Sequence, residues 1–275
     1  MKWLPVHRLQ RGMDRHRIVD FTGPWDGQIV ATSVHAGHDI RADLQQVMIL
    51  DEADRVREED PFTDEIAAAV PSRAITHTSR FEVDLNRPRR EAVYRAPEDA
   101  WGLRIWRDEV LPDDLFRASL QTWDTFYTAL AERLDAVAER GPFVLLDVHS
   151  YNHRRPGPDQ PAEAVADNPE VNLGTGSVDH SRFGGLVHRF ARDLADPELG
   201  CGPVDVRENV KFEGRQLAWW VHDRYPRIGC VLALEFKKTF MDEWTGVPDR
   251  DAIACARTNL AATLPGLAGE LAALS

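Results

Sequence analysis

Two runs that are almost wholly apolar, GPFVLLDVHS over 141–150 and IGCVLALEF over 228–236, constrain the fold of this chain more than any other feature. A strand with one wet face alternates polar and apolar residues, whereas an unbroken apolar run of strand length needs cover on both faces, as in a sheet held between helices. The covering helices are legible too. Over 112–140, Leu115, Leu120, Phe126, Leu130, Leu134 and Val137 fall on one face of a helical repeat, with Pro112 at its start and Gly141 just past its end. Similar patterns predict helices over 179–194, 214–225 and 249–274, and further strands over 27–34 and 204–210. Short helices are expected over 51–58 and from Thr63, a plausible N-cap, to 70. The alternation predicts an α/β fold: a single domain over 1–275 around a mostly parallel or mixed β-sheet with helices on both faces. Residues 1–26 read as a peripheral lead-in, and 152–176, rich in Pro, Gly and Asn, as a long active-site loop.

Charge narrows the partners. With 33 basic against 45 acidic side chains, the formal charge is −12, which argues against nucleic acid and against an anionic membrane surface. The opening residues lack the apolar core of a secretory leader and no run approaches membrane length, so a cytoplasmic location is expected. Cys201, Cys230 and Cys255 are odd in number and far apart, which suggests neither a disulfide framework nor a cysteine metal site.

Chemistry-bearing residues gather at the strand ends. The strand over 27–34 runs into His35, Gly37, His38 and Asp39, a turn whose imidazoles and carboxylate could hold one divalent ion. His149 ends another strand in the same way. The bland alternative is a pair of strand-end histidines satisfied by backbone groups. Between these motifs lies SRFEVDLNRPRREAVY over 79–94, where Phe81, Val83 and Leu85 alternate with Glu82, Asp84 and Asn86 like a strand. It ends in a basic cluster that stands out in an acidic chain, with Arg89 and Arg90 read as solvated flank.

The order HAGHD, SRFEVDLNR, DVHS and LALEF, spanning 29–236, resembles the N-formylglutamate amidohydrolase family, within the wider zinc carboxypeptidase and aspartoacylase group. That resemblance implies a zinc carboxypeptidase-like α/β fold, one catalytic Zn2+, and hydrolysis of an amide in a small anionic N-acyl amino acid such as N-formyl-L-glutamate. It makes His35 and His149 zinc ligands. The carboxypeptidase pattern has a glutamate three residues after its first histidine; here that position is His38, taken as the third ligand, with Asp39 as the alternative or as an acceptor that orients an imidazole. Asp147 could orient His149 likewise. By the same resemblance Glu235 is the general base, Arg80 stabilises the oxyanion, and Arg87 with Asn86 clamps a substrate carboxylate. Lys211 and Arg215 could take a second carboxylate or be plain surface charge. Two other functions fit the pattern: a peptide carboxypeptidase, and a catalytically idle anion-binding protein, the latter suggested by the missing glutamate at position 38.

Overall fold

The computed structural model describes residues 17–274. Seven strands form one mixed sheet: β1 (Val19–Thr22), β2 (Ile29–Ser33), β3 (Arg73–Thr76), β4 (Phe143–Tyr151), β5 (Val171–Gly174), β6 (Val206–Glu208) and β7 (Gly229–Lys237), in the order β1-β3-β2-β4-β7-β5-β6. Strands β3, β2, β4 and β7 are parallel to one another, and β1 and β5 run antiparallel to their neighbours β3 and β7. The helices are α1 (Ala42–Gln45), α2 (Glu52–Glu58), α3 (Thr63–Ala67), α4 (Asp113–Ala138), α5 (His180–Ala195), α6 (Gln216–Arg224) and α7 (Arg250–Leu274).

The two apolar runs are the centre of the sheet. All nine residues of β4 are buried, and β4 pairs in parallel register with β7 from Phe143↔Gly229 to Tyr151↔Lys237. Their side chains split by parity into two cores. Phe143, Leu145 and Val231 pack with α4 and α6, while Val144, Leu146, Leu232 and Leu234 pack with α3, α5 and α7. That is the predicted single α/β layer sandwich, helices on both faces. No helix among the described residues is long and apolar enough to cross a membrane.

Three predictions change. Residues 17–26 are part of the sheet edge: β1 pairs with β3, and Trp25 is buried with its backbone N–H donating to Ser72 Oγ; the rest of the lead-in, 1–16, lies outside the described residues. The loop over 152–176 contains β5, four residues too short to show a period. Most consequential, 79–94 is no strand. It is a chain of tight turns, with Glu82 and Val83 N–H donating to Ser79 O and Arg87 N–H to Asp84 O. Glu82, Asp84 and Asn86 are as buried as Phe81, Val83 and Leu85. The polar residues that mimicked a solvent face instead turn inward.

The connectivity places the site. From β2 the chain moves to β3 on one side of it, then through α4 to β4 on the other, so the direction of strand order reverses between β2 and β4. Open α/β sheets leave a crevice at such a switch point, beyond the carboxyl ends of the strands.

Candidate active site

His35 follows the end of β2 and His149 lies near the end of β4, on either side of that crevice. On β7, Glu235 is the direct register partner of His149, so the two side chains leave the sheet on the same face. Asp147, two residues before His149, also points that way. The ladder therefore delivers an imidazole, its neighbouring acid and a second acid to one place. The strands also explain why Gly37 follows: a Cβ there would lie 2.3 Å from the His77 carbonyl carbon, so only glycine lets the chain turn against β3.

Three donor atoms converge. His35 Nδ1 and His149 Nδ1 are 3.2 Å apart, Asp60 Oδ2 is 3.2 Å from His149 Nδ1 and 3.4 Å from His35 Nδ1. A four-coordinate ion with bonds of ~2.0–2.1 Å requires donor separations of ~3.3 Å, so this triangle matches one face of such a site. All three residues are buried, and among the described residues they are the one group of His, Cys, Asp and Glu donors with this spacing. The opposite ring nitrogens are held by carboxylates: His35 Nε2 by Asp84 Oδ1 at 2.7 Å, His149 Nε2 by Asp147 Oδ2 at 2.8 Å. Asp147 is fixed in turn by the Thr32 hydroxyl at 2.7 Å. Each imidazole is thus turned so that Nδ1 faces the centre, the arrangement that orients metal-ligating histidines.

The electrostatics agree with that geometry. Burial alone would raise the Asp60 carboxyl, but hydrogen bonds from His149 and His35 outweigh it and hold Asp60 well below the usual carboxylate range. Burial would likewise discharge His149, yet Asp147 and Asp60 keep its pKa well above the ordinary value. In Asp84, burial is again opposed, here by the Arg80 and His35 charges, and the carboxyl stays ionised. Glu235 differs. Its carboxylate has no hydrogen-bond or ion-pair partner among the described residues, and burial pushes it up to about 8, with His149 pulling the other way. It faces a cavity of about 560 Å³ that His35, Asp60, Arg80, Arg87 and Trp101 also line.

His38 and Asp39 do not join the cradle. The backbone bridges Asp39 to Thr78 beside β3, drawing the segment after Gly37 along the sheet and away from His149. The His38 side chain is 42% exposed and its Nδ1 pairs with Glu59 Oε2 at 2.5 Å; Asp39 is exposed. The third donor is Asp60, from the turn between α2 and α3. Its backbone N–H donates to His35 O, and Phe62, in the left-handed region at φ 67°, reverses the chain directly after it. The acidic run Glu58-Glu59-Asp60 before Pro61 was the only trace of it in the sequence, and nothing local singles out one acid of the three.

The basic residues sort by what they touch. Arg80 is held through all three nitrogens, donating to Glu58 O, Asp84 Oδ2 and Tyr94 Oη, which leaves two of its five N–H groups for the cavity. Arg87 is less tied, stacking 4.7 Å over the Tyr94 ring and 5.9 Å from Trp101; its buried Nε has no hydrogen-bond partner but lies in a long ion pair 3.6 Å from Asp84 Oδ2. Asn86 Oδ1 accepts from Leu217 N–H, and its Nδ2 packs 3.2 Å from His149 Nε2, the nitrogen whose proton goes to Asp147, so the amide is fixed beside the histidine. Lys211 and Arg215 line the cavity; the Lys211 ammonium is held by Glu163 and Asn168, and Arg215 is exposed. Arg89 pairs with Asp124 on the surface, as a flank residue would. Lys237 reaches Asn168 O and leaves Glu235 unpaired.

A buried three-donor cradle beside an unengaged carboxylate, in a cleft with a guanidinium held only by a long ion pair and ring stacking, is equipment for adding water across a polar bond, and it marks the chain as a hydrolase. The model of the family described as FGase, N-formylglutamate amidohydrolase, matches residues 27–241, and the protein belongs to that family. Among solved structures, an N-formylglutamate amidohydrolase from Ralstonia eutropha JMP134 superposes with a TM-score of 0.72 at 18% identity, covering 94% of this chain and 99% of that one. A gene product from Agrobacterium tumefaciens superposes with a TM-score of 0.57 at 14% identity, covering 94% and 95%. At these identities the two structures speak for the fold. No curated protein matches in sequence.

Proposed function

We propose that the protein is a zinc-dependent amidohydrolase that cleaves the amide bond of N-formyl-L-glutamate or a closely related N-acyl amino acid. The observation that carries this is the Nδ1, Nδ1, Oδ2 triangle with 3.2–3.4 Å sides, next to the unpaired carboxylate of Glu235. Two imidazoles and a carboxylate beside a cavity are a donor set that would suit Zn2+ as a catalytic ion. When bound, zinc would supply Lewis acidity, polarising the substrate carbonyl and acidifying a water molecule.

The chain's own residues do the rest. Glu235 removes a proton from the attacking water, whose oxygen forms the new bond to the formyl carbon. The C–N bond then breaks, and Glu235 returns the proton to the leaving nitrogen, giving formate and the free amine. Its partly buried setting suits both steps, because a carboxylate kept from bulk water and from fixed partners is a stronger base than an exposed one. Asp84 and Asp147 hold the ligating imidazoles in one tautomer throughout. Arg87 receives the substrate carboxylate in two parallel hydrogen bonds, its plane fixed by Tyr94 and Trp101. Arg80 lends positive charge to the oxyanion from a position set by Asp84 and Tyr94, and Arg215 and Lys211 stand on the wall where a second carboxylate would lie.

The idle-protein alternative drew on the lack of a carboxylate ligand at position 38. Asp60 removes that motive, since it offers the missing carboxylate from another loop. The test is direct: zinc content of the purified protein, and formate release from N-formyl-L-glutamate before and after chelation. Release that stops on chelation and returns with zinc supports the proposal. A protein that takes up no zinc, or hydrolyses equally without it, overturns it.

A further inference from the structure

Lys238 stands just past the end of β7, three residues after Glu235, and its side chain is among the largest that are fully buried, at 1% exposure. An ammonium at that depth is costly unless its donors are used. Among the described residues it forms no ion pair; instead Nζ donates to the carbonyl oxygens of Arg57 at 2.6 Å and Glu59 at 2.7 Å. These belong to the carboxyl end of α2, where backbone carbonyls have no partner within the helix and where a cation is favoured by the helix dipole. The next residue is Asp60. The Lys238 backbone N–H donates to Tyr151 O, joining the ends of β7 and β4. One residue thus links the strand of Glu235, the strand of His149 and the loop of Asp60.

We infer that Lys238 is a positioning residue for the cradle, pinning the 57–59 backbone so that Asp60 Oδ2 meets the two imidazole nitrogens. Asp60 reaches the site from a turn with no ladder of its own, and Lys238 replaces the ladder by tying that turn to the sheet across 179 residues of sequence. Arg80 holds the Glu58 carbonyl and His35 O accepts from the Asp60 N–H, while the remaining grips on the turn hold side chains: Arg155 and Asn152 on Glu58, and Ser79 and His38 on Glu59. Only Lys238 grips the two carbonyls that bracket the approach to the ligand. This inference rests on His35, Asp60 and His149 being the metal ligands.

The experiment measures zinc affinity by chelator competition on the full chain, together with the melting temperature of the metal-free protein. Lys238→Met keeps the volume and removes the donors; it is expected to weaken zinc binding by about 10- to 100-fold, the usual effect of losing a group that orients a ligand. In an Asp60→Asn background the same substitution should weaken binding no further, because its route runs through Asp60. Unchanged affinity in folded Lys238→Met, or an equal loss in both backgrounds, overturns the inference. Should Lys238→Met not fold, Lys238→Gln, whose shorter amide keeps a donor for one carbonyl, is expected to give a smaller loss that again vanishes with Asp60→Asn; full wild-type affinity in that variant overturns it. Failure of the wild-type chain to bind zinc at all would instead strike at the proposed function.

Discussion

His35, His149 and Glu235 come to the site on strand ends, whereas Asp60, Asp84 and Arg87 come on loops, and different forces hold the two halves. The strand half is fixed by the parallel ladder of β2, β4 and β7, whose register sets His149 opposite Glu235 whatever the side chains are. The loop half has no repeating hydrogen bonds. It is fixed by individual contacts between charged and polar side chains that are buried together, such as Arg80 with Asp84 and Tyr94, and Lys238 with the end of α2. Such contacts are expensive to leave half made. Loss of one partner in the loop half should therefore displace a ligand, while loss of one in the strand half should remove a function and leave the frame.

The largest expected effect lies in the strand half. Glu235→Gln should lower kcat by about 10²- to 10⁴-fold with zinc content unchanged, read from steady-state amide hydrolysis and metal analysis on the same preparation. Retained activity would take the base out of the mechanism. Next comes the third ligand: Asp60→Asn should weaken zinc affinity by more than ~100-fold, beyond the usual effect of an outer residue, while His38→Ala should leave it within about threefold. The reverse result would restore His38 to the cradle. Third, Asp147→Asn and Asp84→Asn should each cost about 10- to 100-fold in zinc affinity, and the comparison of halves predicts the larger loss for Asp84, which also holds Arg80 and Tyr94. Equal losses would mean that the two halves are equally rigid. Fourth, Arg87→Lys should raise KM about 10-fold with little change in kcat, since an ammonium cannot copy the two-point grip.

The smallest effect concerns the frame itself. His222 on α6 accepts a hydrogen bond from Val231 N–H on β7 through Nε2, at 2.9 Å, and meets Ser177 Oγ through Nδ1. Burial pushes its pKa down to about 4. Between that value and the ordinary one near ~6.5 the unfolded chain binds a proton that the folded chain refuses, so stability is full above the ordinary pKa and falls as the pH drops toward about 4. In denaturant titrations, the change in stability between about pH 7 and about pH 5 should differ between wild type and His222→Asn by on the order of 1–2 kcal/mol, with the wild type losing more on acidification.

Much of the strand half was legible because its signals are periodic and local. The apolar runs gave β4 and β7, their last residues gave His149 and Glu235, and the helix patterns gave α4, α5, α6 and α7 within a few residues. The loop half misled by the same logic. Glu82, Asp84 and Asn86 sit at alternate positions with the apolar residues and looked like a wet face, but all three are buried in the wall of the site. His38 looked like a ligand because it lies three residues from His35, but spacing along the chain governs only side chains on one regular element, and the turn at Gly37 ends that regularity.

The sheet, the helices that cover it and the strand ends at which chemistry gathers can be read from the order of residues, because continuous burial and helical periodicity are written in neighbouring positions. Which acid completes the cradle, and which arginine keeps its guanidinium out of hydrogen bonds, follows from the folded chain alone. Those outcomes depend on pairings such as Asp60 with His149 and Asn86 with Leu217, between residues far apart in the chain, and no local pattern encodes them.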